Sequence, residues 1–266
     1  MTVAIQKQPL PLDSTRVEEL LARVLGPAAD NTLRNRLLRL LLETAVAGAE
    51  QPASMLGTPV TLTSDHPILR RLATTHAPKI VGINETTRER IRVGLLRVIA
   101  EGGTLRQQVD EVQRVFREAS TARASMIART ESGIFYHAGG RQQMIESGAR
   151  SHVWISSRDQ RVRATHQAAD GQCRDIGEAF DVGAAKLAHP SDPAGPPEEI
   201  IACRCTEIPQ VGTCSSRSTS AGERSAVWKR VIRSIEARER LALRAVRGIF
   251  REQRTATLAA VAQMTA

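Results

Sequence analysis

The chain has 266 residues, with 37 Lys+Arg against 28 Asp+Glu for a formal net charge of +9, four cysteines and only seven aromatic side chains. Hydrophobic residues at 41% and charged residues at 24% exclude wholesale disorder, and the length allows one or two domains with a sizeable core. With aromatics at 3%, that core must be built from Leu, Ile, Val and Ala, which favours packed helices over a large β-sandwich.

Pro9 and Pro11 give residues 1–13 the character of an extended arm. Thr15-x-x-Glu18 then reads as a capping box for a helix stopped by Gly26-Pro27, and Asp30 or Asn31 begins a second helix with Leu33, Leu37, Leu40 and Leu41 at helical spacing. Pro52, Gly57 and Pro59 mark residues 50–66 as a loop, followed by a short helix over Ile68–Thr75. Asn84 caps a helix to about Glu101 that Gly102-Gly103 ends, Thr104 caps the next, and a longer helix covers roughly Thr121–Ser147 before Gly148. From Ser151 to Pro209 the pattern changes to short β-like runs, HVWIS, AFDV and CRCTEI, separated by turns such as Asp170-Gly171. A polar connector, TCSSRSTSAG, precedes one long amphipathic helix over about Glu223–Met264 carrying Trp228, Ile232, Ile235, Ala242, Val246 and Ile249, with Gly248 its weakest interior point. The predicted fold is mainly α. It has four segments: an arm and helical region (1–83), a second helical part (84–150), a small α+β module (151–212), and the connector with its C-terminal helix (213–266).

The basic residues comprise 33 Arg and four Lys, a bias that either phosphate and carboxylate recognition or a GC-rich genome produces. Residues 151–212 hold six basic and nine acidic side chains, whereas residues 213–266 hold eleven and four. The start, MTVAIQKQPLPLD, lacks the apolar core of a signal peptide, and the most apolar stretch, Leu37–Gly48, is interrupted by Arg39 and Glu43. These features predict folding in a cytoplasm with no membrane partner, where the cysteines are thiols or metal ligands rather than a disulfide frame.

Four groups of residues could carry chemistry. Glu131 shares a helical stripe with Ile127, Ile134 and Ala138, so it needs a partner such as Arg163 or Arg204. Asp159, Arg163, His166 and Asp170 fall within thirteen residues, as an acid–base set or as a structural hydrogen-bonded knot. Together with Arg129 and Arg204, these carboxylates and guanidiniums form a candidate structural polar network. On a strand, Cys203 and Cys205 would place both sulfurs on one face with Arg204 pointing away, either as buried thiols or as a metal corner. His166, His189 or Cys173 could complete such a corner, and zinc is the natural ion. The last helix carries Arg224, Lys229, Arg230, Arg233, Arg238, Arg240, Arg244, Arg247, Arg251 and Arg254, which either lie along nucleic acid phosphates or form a solvated face opposite a docking stripe.

The ordered motifs resemble the phage head morphogenesis family typified by the phage Mu F protein. They are IARTE (Ile127–Glu131), Gly148, Trp154, D-x-x-x-R-x-x-H-x-x-x-D-G (Asp159 to Gly171), P-x-D-P from Pro190, an acidic pair, and CRC ending at Cys205. The resemblance spans roughly residues 84–209. It implies a structural, non-enzymatic virion component present in few copies. Its place would be the capsid interior, near the portal, after assembly in the host cytoplasm, and its partners the portal protein and inner capsid. It is linked to head assembly and DNA packaging or ejection; the C-terminal helix lies outside the resemblance, and its basic charge by itself suggests that it reaches packaged DNA. Many members carry Cys-x-x-Cys where this chain has Arg163 and His166, and zinc is suspected there; an Asn often stands where this chain has Ala202. The rival readings are a metal-dependent hydrolase or nuclease using Asp159, His166, Cys203 and Cys205, and a signalling or toxin-delivery protein that has borrowed the module. A single helix after Pro209 would enclose no toxin active site.

Overall fold

Asp13 rather than Thr15 opens the first helix. Its carboxylate accepts from the Arg16 N–H at 2.9 Å, and α1 runs Ser14–Leu25 in the computed structural model, which describes residues 11–210, 212–214 and 220–265. A carboxylate at that position satisfies an orphan N–H and meets the positive end of the helix, so it displaces the threonine box. Most of the expected N-terminal arm, residues 1–10, and part of the connector, residues 215–219, lie outside the described residues.

Gly26 ends α1 as expected, but Pro27 starts α2, Pro27–Leu56, well before Asp30. A proline at the first helical position gives up an N–H that has no helical partner anyway. The expected loop shrinks to residues 57–66, because α2 continues through Pro52 with Ala45, Ala47, Ala49 and Ala53 buried. Burial of that small-residue face outweighs the missing proline donor. The next two expected helices are one: α3 spans Pro67–Ala100 across both Pro78 and Asn84. Asn84 is no cap; it is fully buried, donates to Asp30 Oδ1 at 2.9 Å and accepts from Gln253 Nε2 at 2.8 Å. Gly102, at φ +68°, closes α3 as expected, and Thr104 with Gln107 forms the capping box of α4, Leu105–Glu118. A π-helical turn, Ala119–Arg123, follows, with Thr121 at φ −103° and ψ −108°, and α5 runs Ala124–Glu146.

The module begins with β1, Ser151–Ile155, at the centre of an antiparallel sheet ordered β2-β1-β5, where β2 is Cys173–Asp175 and β5 Thr206–Gln210. β3, Phe180–Val182, and β4, Ala185–Leu187, form a separate hairpin. Two short helices, α6 at Ala164–Ala168 and α7 at Pro197–Ile200, lie in the connections. Trp154, Phe180, Val182, Leu187, Ile200, Cys203 and Cys205 form one apolar cluster; Val153, Ile155 and Ile208 form another with Trp228 of α8, Ala221–Thr265. The predominance of helix is as the composition predicts, and the small α+β module and the long last helix are as the sequence pattern predicts. No helix of the described residues is long and apolar enough to cross a membrane.

The chain folds as two compact units. Unit 1 takes residues to Arg36, Ala77–Ala124 and those from Ala245; unit 2 takes Leu37–His76 and Ser125–Arg244. Unit 1 buries Leu20, Leu21, Leu25, Leu33, Ile91, Leu95, Phe116 and Phe250. In unit 2, α2 and α5 cross closely through glycines. A Cβ on Gly139 would stand 1.9 Å from the Ala45 carbonyl oxygen, and one on Gly48 2.0 Å from that of Tyr136. Cys173 and Cys214 form a disulfide with Cα atoms 5.6 Å apart, which corrects the expectation of thiols at those two positions; Cys203 and Cys205 are free. The disulfide partners are 41 residues apart, so no local spacing announces them.

Gly139→Ala should lower stability by about 1–3 kcal/mol, since the clash is with rigid backbone. Gly248→Ala in α8, where nothing lies within 4 Å of an added Cβ, should raise it by about 0.5–1 kcal/mol. Urea unfolding midpoints of the two variants read both signs.

Candidate metal centre

Three segments of unit 2 bring side chains to one buried point. His166 comes from α6, Glu199 from α7, and Cys203 and Cys205 from the stretch between α7 and β5. The cysteines are not on a strand as expected, for the strand begins only at Thr206. Ala202 sits at φ +55° and gives its N–H to Thr130 Oγ1 at 3.0 Å, a left-handed kink that no extended ladder accommodates. Both sulfurs are nevertheless buried, while Arg204 holds the carboxylate of Asp159.

His166 Nδ1 lies 3.3 Å from Cys205 Sγ and 3.6 Å from Cys203 Sγ, and the three potential ligand atoms fall within 4.8 Å of one another. A tetrahedral zinc with bonds of about 2.3 Å to sulfur and about 2.05 Å to nitrogen separates neighbouring N and S donors by about 3.6 Å, so the donor set has the right chemistry and spacing for one face of such a site. His166 Nε2 meets Glu199 Oε2 at 2.9 Å, and the same oxygen accepts from Thr165 Oγ1 at 2.9 Å. A carboxylate on the far ring nitrogen orients an imidazole toward a metal. The other two ligands considered from sequence are engaged elsewhere: Cys173 in the disulfide, and His189 with its Nδ1 2.9 Å from the Pro190 carbonyl oxygen. Trp154 closes one side, edge-on to His166 at 5.6 Å.

The sulfurs differ in proton affinity. A hydrogen bond from Cys205 holds the Cys203 thiol well below the ordinary thiol range despite burial, with His166 adding to the effect; burial pushes Cys205 well up. Burial works against a charged His166, yet the Cys203 sulfur lifts its pKa above the ordinary imidazole value. With exposures of 1%, 6% and 2%, His166, Cys203 and Cys205 are placed to hold an ion or a shared proton rather than to meet a dissolved substrate.

The remaining candidates divide into separate pairs. Asp159 accepts from Arg204 Nη2 at 2.6 Å and from the Arg161 N–H at 2.9 Å, and Arg204 holds its carboxyl below the usual range. Arg163 occupies the N-cap position of α6 and donates to the Ile201 carbonyl, so it does not share a helical face with His166. Asp170 accepts from the Ser156 N–H at 2.9 Å, from Arg158, and from Arg224 Nε at 3.2 Å. Glu131 pairs with His76 of α3, not with Arg163 or Arg204, and Arg129 grips Glu239 of α8 at 2.8 and 3.1 Å. Of the basic residues of α8, Arg224 is thus engaged by Asp170. Lys229, Arg230, Arg233, Arg240, Arg244, Arg247, Arg251 and Arg254 are exposed.

Sequence reasoning missed a second buried polar group. His152 Nδ1 meets Glu207 Oε2 at 2.6 Å, Arg141 Nη1 lies 2.9 Å from the same ring nitrogen, and His152 Nε2 is 3.2 Å from the Glu178 carbonyl oxygen. Burial alone would raise the Glu207 pKa, but the hydrogen bond from His152, with the charges of His152, His189 and Arg141, holds it below the ordinary value. The signal available was the placement of His152 and Glu207 in runs that otherwise read as buried strand.

His137 is pushed down to about 4, first by burial and then by the charge of His189. The unfolded chain therefore binds the extra proton first, and stability contributed by neutral His137 is present above about pH 6.5 and lost as pH falls toward 4. The thermal midpoint should drop between pH 7 and 5, with a shallower drop in His137→Gln. Ala202→Asn should add about 1 kcal/mol in urea unfolding, because asparagine tolerates a left-handed backbone that costs alanine about that much.

Residues 89–208 match the family model described as Phage Mu protein F like protein, a span that holds His166, Glu199, Cys203 and Cys205 and covers a little under half of the chain. No curated protein and no solved structure matches. The matched region coincides closely with the stretch whose motifs carry the resemblance, and residues 89–208 of this chain are similar to the phage Mu F family of head morphogenesis proteins.

Proposed function

We propose that the chain is a structural head morphogenesis protein of a tailed phage, housed in the capsid interior beside the portal and touching packaged DNA through the exposed basic residues of α8. The observation that carries this reading is the match over residues 89–208, together with the order of the motifs inside it. The buried state of the sulfur cluster, and the engagement of Asp159 by Arg204, support a structural use over a hydrolytic one. In this reading His166, Cys203 and Cys205 hold a zinc ion that would tie α6 to the approach of β5, with Glu199 orienting the imidazole.

Particle composition tests the assignment. The protein should co-purify with filled heads at low stoichiometry, and its absence from particles would remove the virion reading. Metal analysis of the purified full chain should find zinc near one equivalent, and Cys203→Ser should lower both the metal content and the thermal midpoint. A metal-free wild-type protein as stable as one refolded with zinc would sink the zinc reading.

The DNA contact is tested by substitution rather than truncation, since Val231, Ile235, Ala242, Val246 and Phe250 of α8 are buried and deleting the helix would unfold the protein. Lys229→Gln/Arg230→Gln/Arg233→Gln should weaken duplex DNA binding at low salt. The slope of log K against log salt should shrink by roughly 0.9 for each charge that meets a phosphate.

A further inference from the structure

Several arginines of unit 1 are held by carboxylates. Arg36 meets Glu252 at 2.8 Å, Arg88 meets Asp30 and Glu85, Arg92 meets Glu18 and Glu89, and Arg114 meets Glu111 and Glu118. Around the π-helical turn four arginines converge, Arg123, Arg247, Arg251 and Arg254, and none of the four meets a carboxylate among the described residues. Arg123 instead donates to two neutral oxygens, Thr87 Oγ1 and the Ile83 carbonyl, each at 2.8 Å, and Arg247 Nε donates to the Ser120 carbonyl at 2.9 Å.

Arg247, Arg251 and Arg254 lie at i, i+4 and i+7 on α8, so they share one helical face, and three like charges at that spacing oppose helix stability. They line a cavity of about 380 Å³ together with Ser120, Phe116 and Phe250. Both phenylalanines are buried, so the cavity floor is apolar, and Arg123 lies over the Phe250 ring at 5.8 Å. The wall opposite α8 is the π-helical turn, where the non-helical backbone at Thr121 interrupts the passage from α4 to α5. Three exposed guanidiniums thus stand at the cavity, and beside it Arg123 is pushed down to about 10, first by burial and then by the charge of Arg90. An oxyanion entering here would offset the mutual repulsion, and guanidinium forks over an apolar floor match its geometry.

We propose that this cavity is a phosphate-binding site, and that a phosphodiester group of double-stranded DNA is its ligand. The second half rests on the reading that α8 contacts DNA, and narrows that contact to Arg247, Arg251 and Arg254.

The experiment uses the full chain and Arg247→Gln/Arg251→Gln/Arg254→Gln, with two probes: inorganic phosphate against chloride at matched ionic strength, and a short DNA duplex. Phosphate should raise the thermal midpoint of the wild type and leave that of the variant unmoved. The variant should bind the duplex at least tenfold more weakly at low salt, with the log K against log salt slope smaller by roughly 2–3. The corresponding triple Arg→Lys variant keeps the charges, so it should recover the slope and show that the fold is intact. Equal phosphate protection in wild type and Gln variant, or equal duplex affinity and slope, overturns the proposal. Loss of duplex binding at Lys229, Arg230 and Arg233 without loss at the cavity would leave the DNA reading standing and remove this site. Phosphate protection through the three arginines in a wild type that binds no duplex would keep the oxyanion site and remove DNA as its ligand.

Discussion

A buried imidazole with each ring nitrogen claimed by a different segment is the interaction on which the module between Ser151 and Gln210 depends. His166 joins the sulfurs ahead of β5 to Glu199 of α7, and His152 of β1 joins Glu207 of β5 to the carbonyl of Glu178. Each ring therefore acts as a cross-link between stretches that regular secondary structure holds only briefly. Removing one partner would leave a polar atom stranded where water does not reach, and the penalty for that exceeds the net gain from an average hydrogen bond.

The same logic explains how a chain with so few aromatic side chains fills its interior. Trp154, Phe116, Phe135, Phe180, Phe250 and Tyr136 are all buried, and the remaining space is closed by bringing helices together. Gly48 and Gly139 let α2 and α5 approach until backbone meets backbone, and His76 packs edge-on against Phe135 at 5.7 Å while binding Glu131. Imidazoles here do part of the work of aromatic rings, at the cost of needing a hydrogen-bond partner for each nitrogen.

Charge is divided in a corresponding way. In unit 1, Arg36, Arg88, Arg92, Arg97 and Arg114 meet carboxylates one helical turn away or on another helix, and in the acidic module Arg204 and Arg158 meet Asp159 and Asp170. The exposed faces of α8 carry a further run of basic side chains from Lys229 to Arg254. The His166, Cys203 and Cys205 cluster and the basic helix are physically distinct: one is buried and organises its own neighbourhood, the other presents charge to solvent.

The mainly helical composition, the change to a small α+β module at Ser151, the Thr104 cap, the Gly102 and Gly148 stops and the long last helix were all legible in the sequence. Each rests on periodicity or on a local backbone rule, which a short window contains. The meeting of His166 with Cys203 and Cys205 could be posed from residue types, although through a strand that does not form there, because Ala202 turns left-handed. Tertiary structure decided the rest. It carried α2 through Pro52 and α3 through Pro78, since buried faces outweigh the loss of one donor. It moved Asn84 from a cap to the centre of a buried cluster and gave Glu131 to His76. It also paired Cys173 with Cys214 and assembled His152, Glu207 and Arg141. Local patterns determine which elements form, whereas partners for buried polar groups come from distant segments and exist only once those segments are packed.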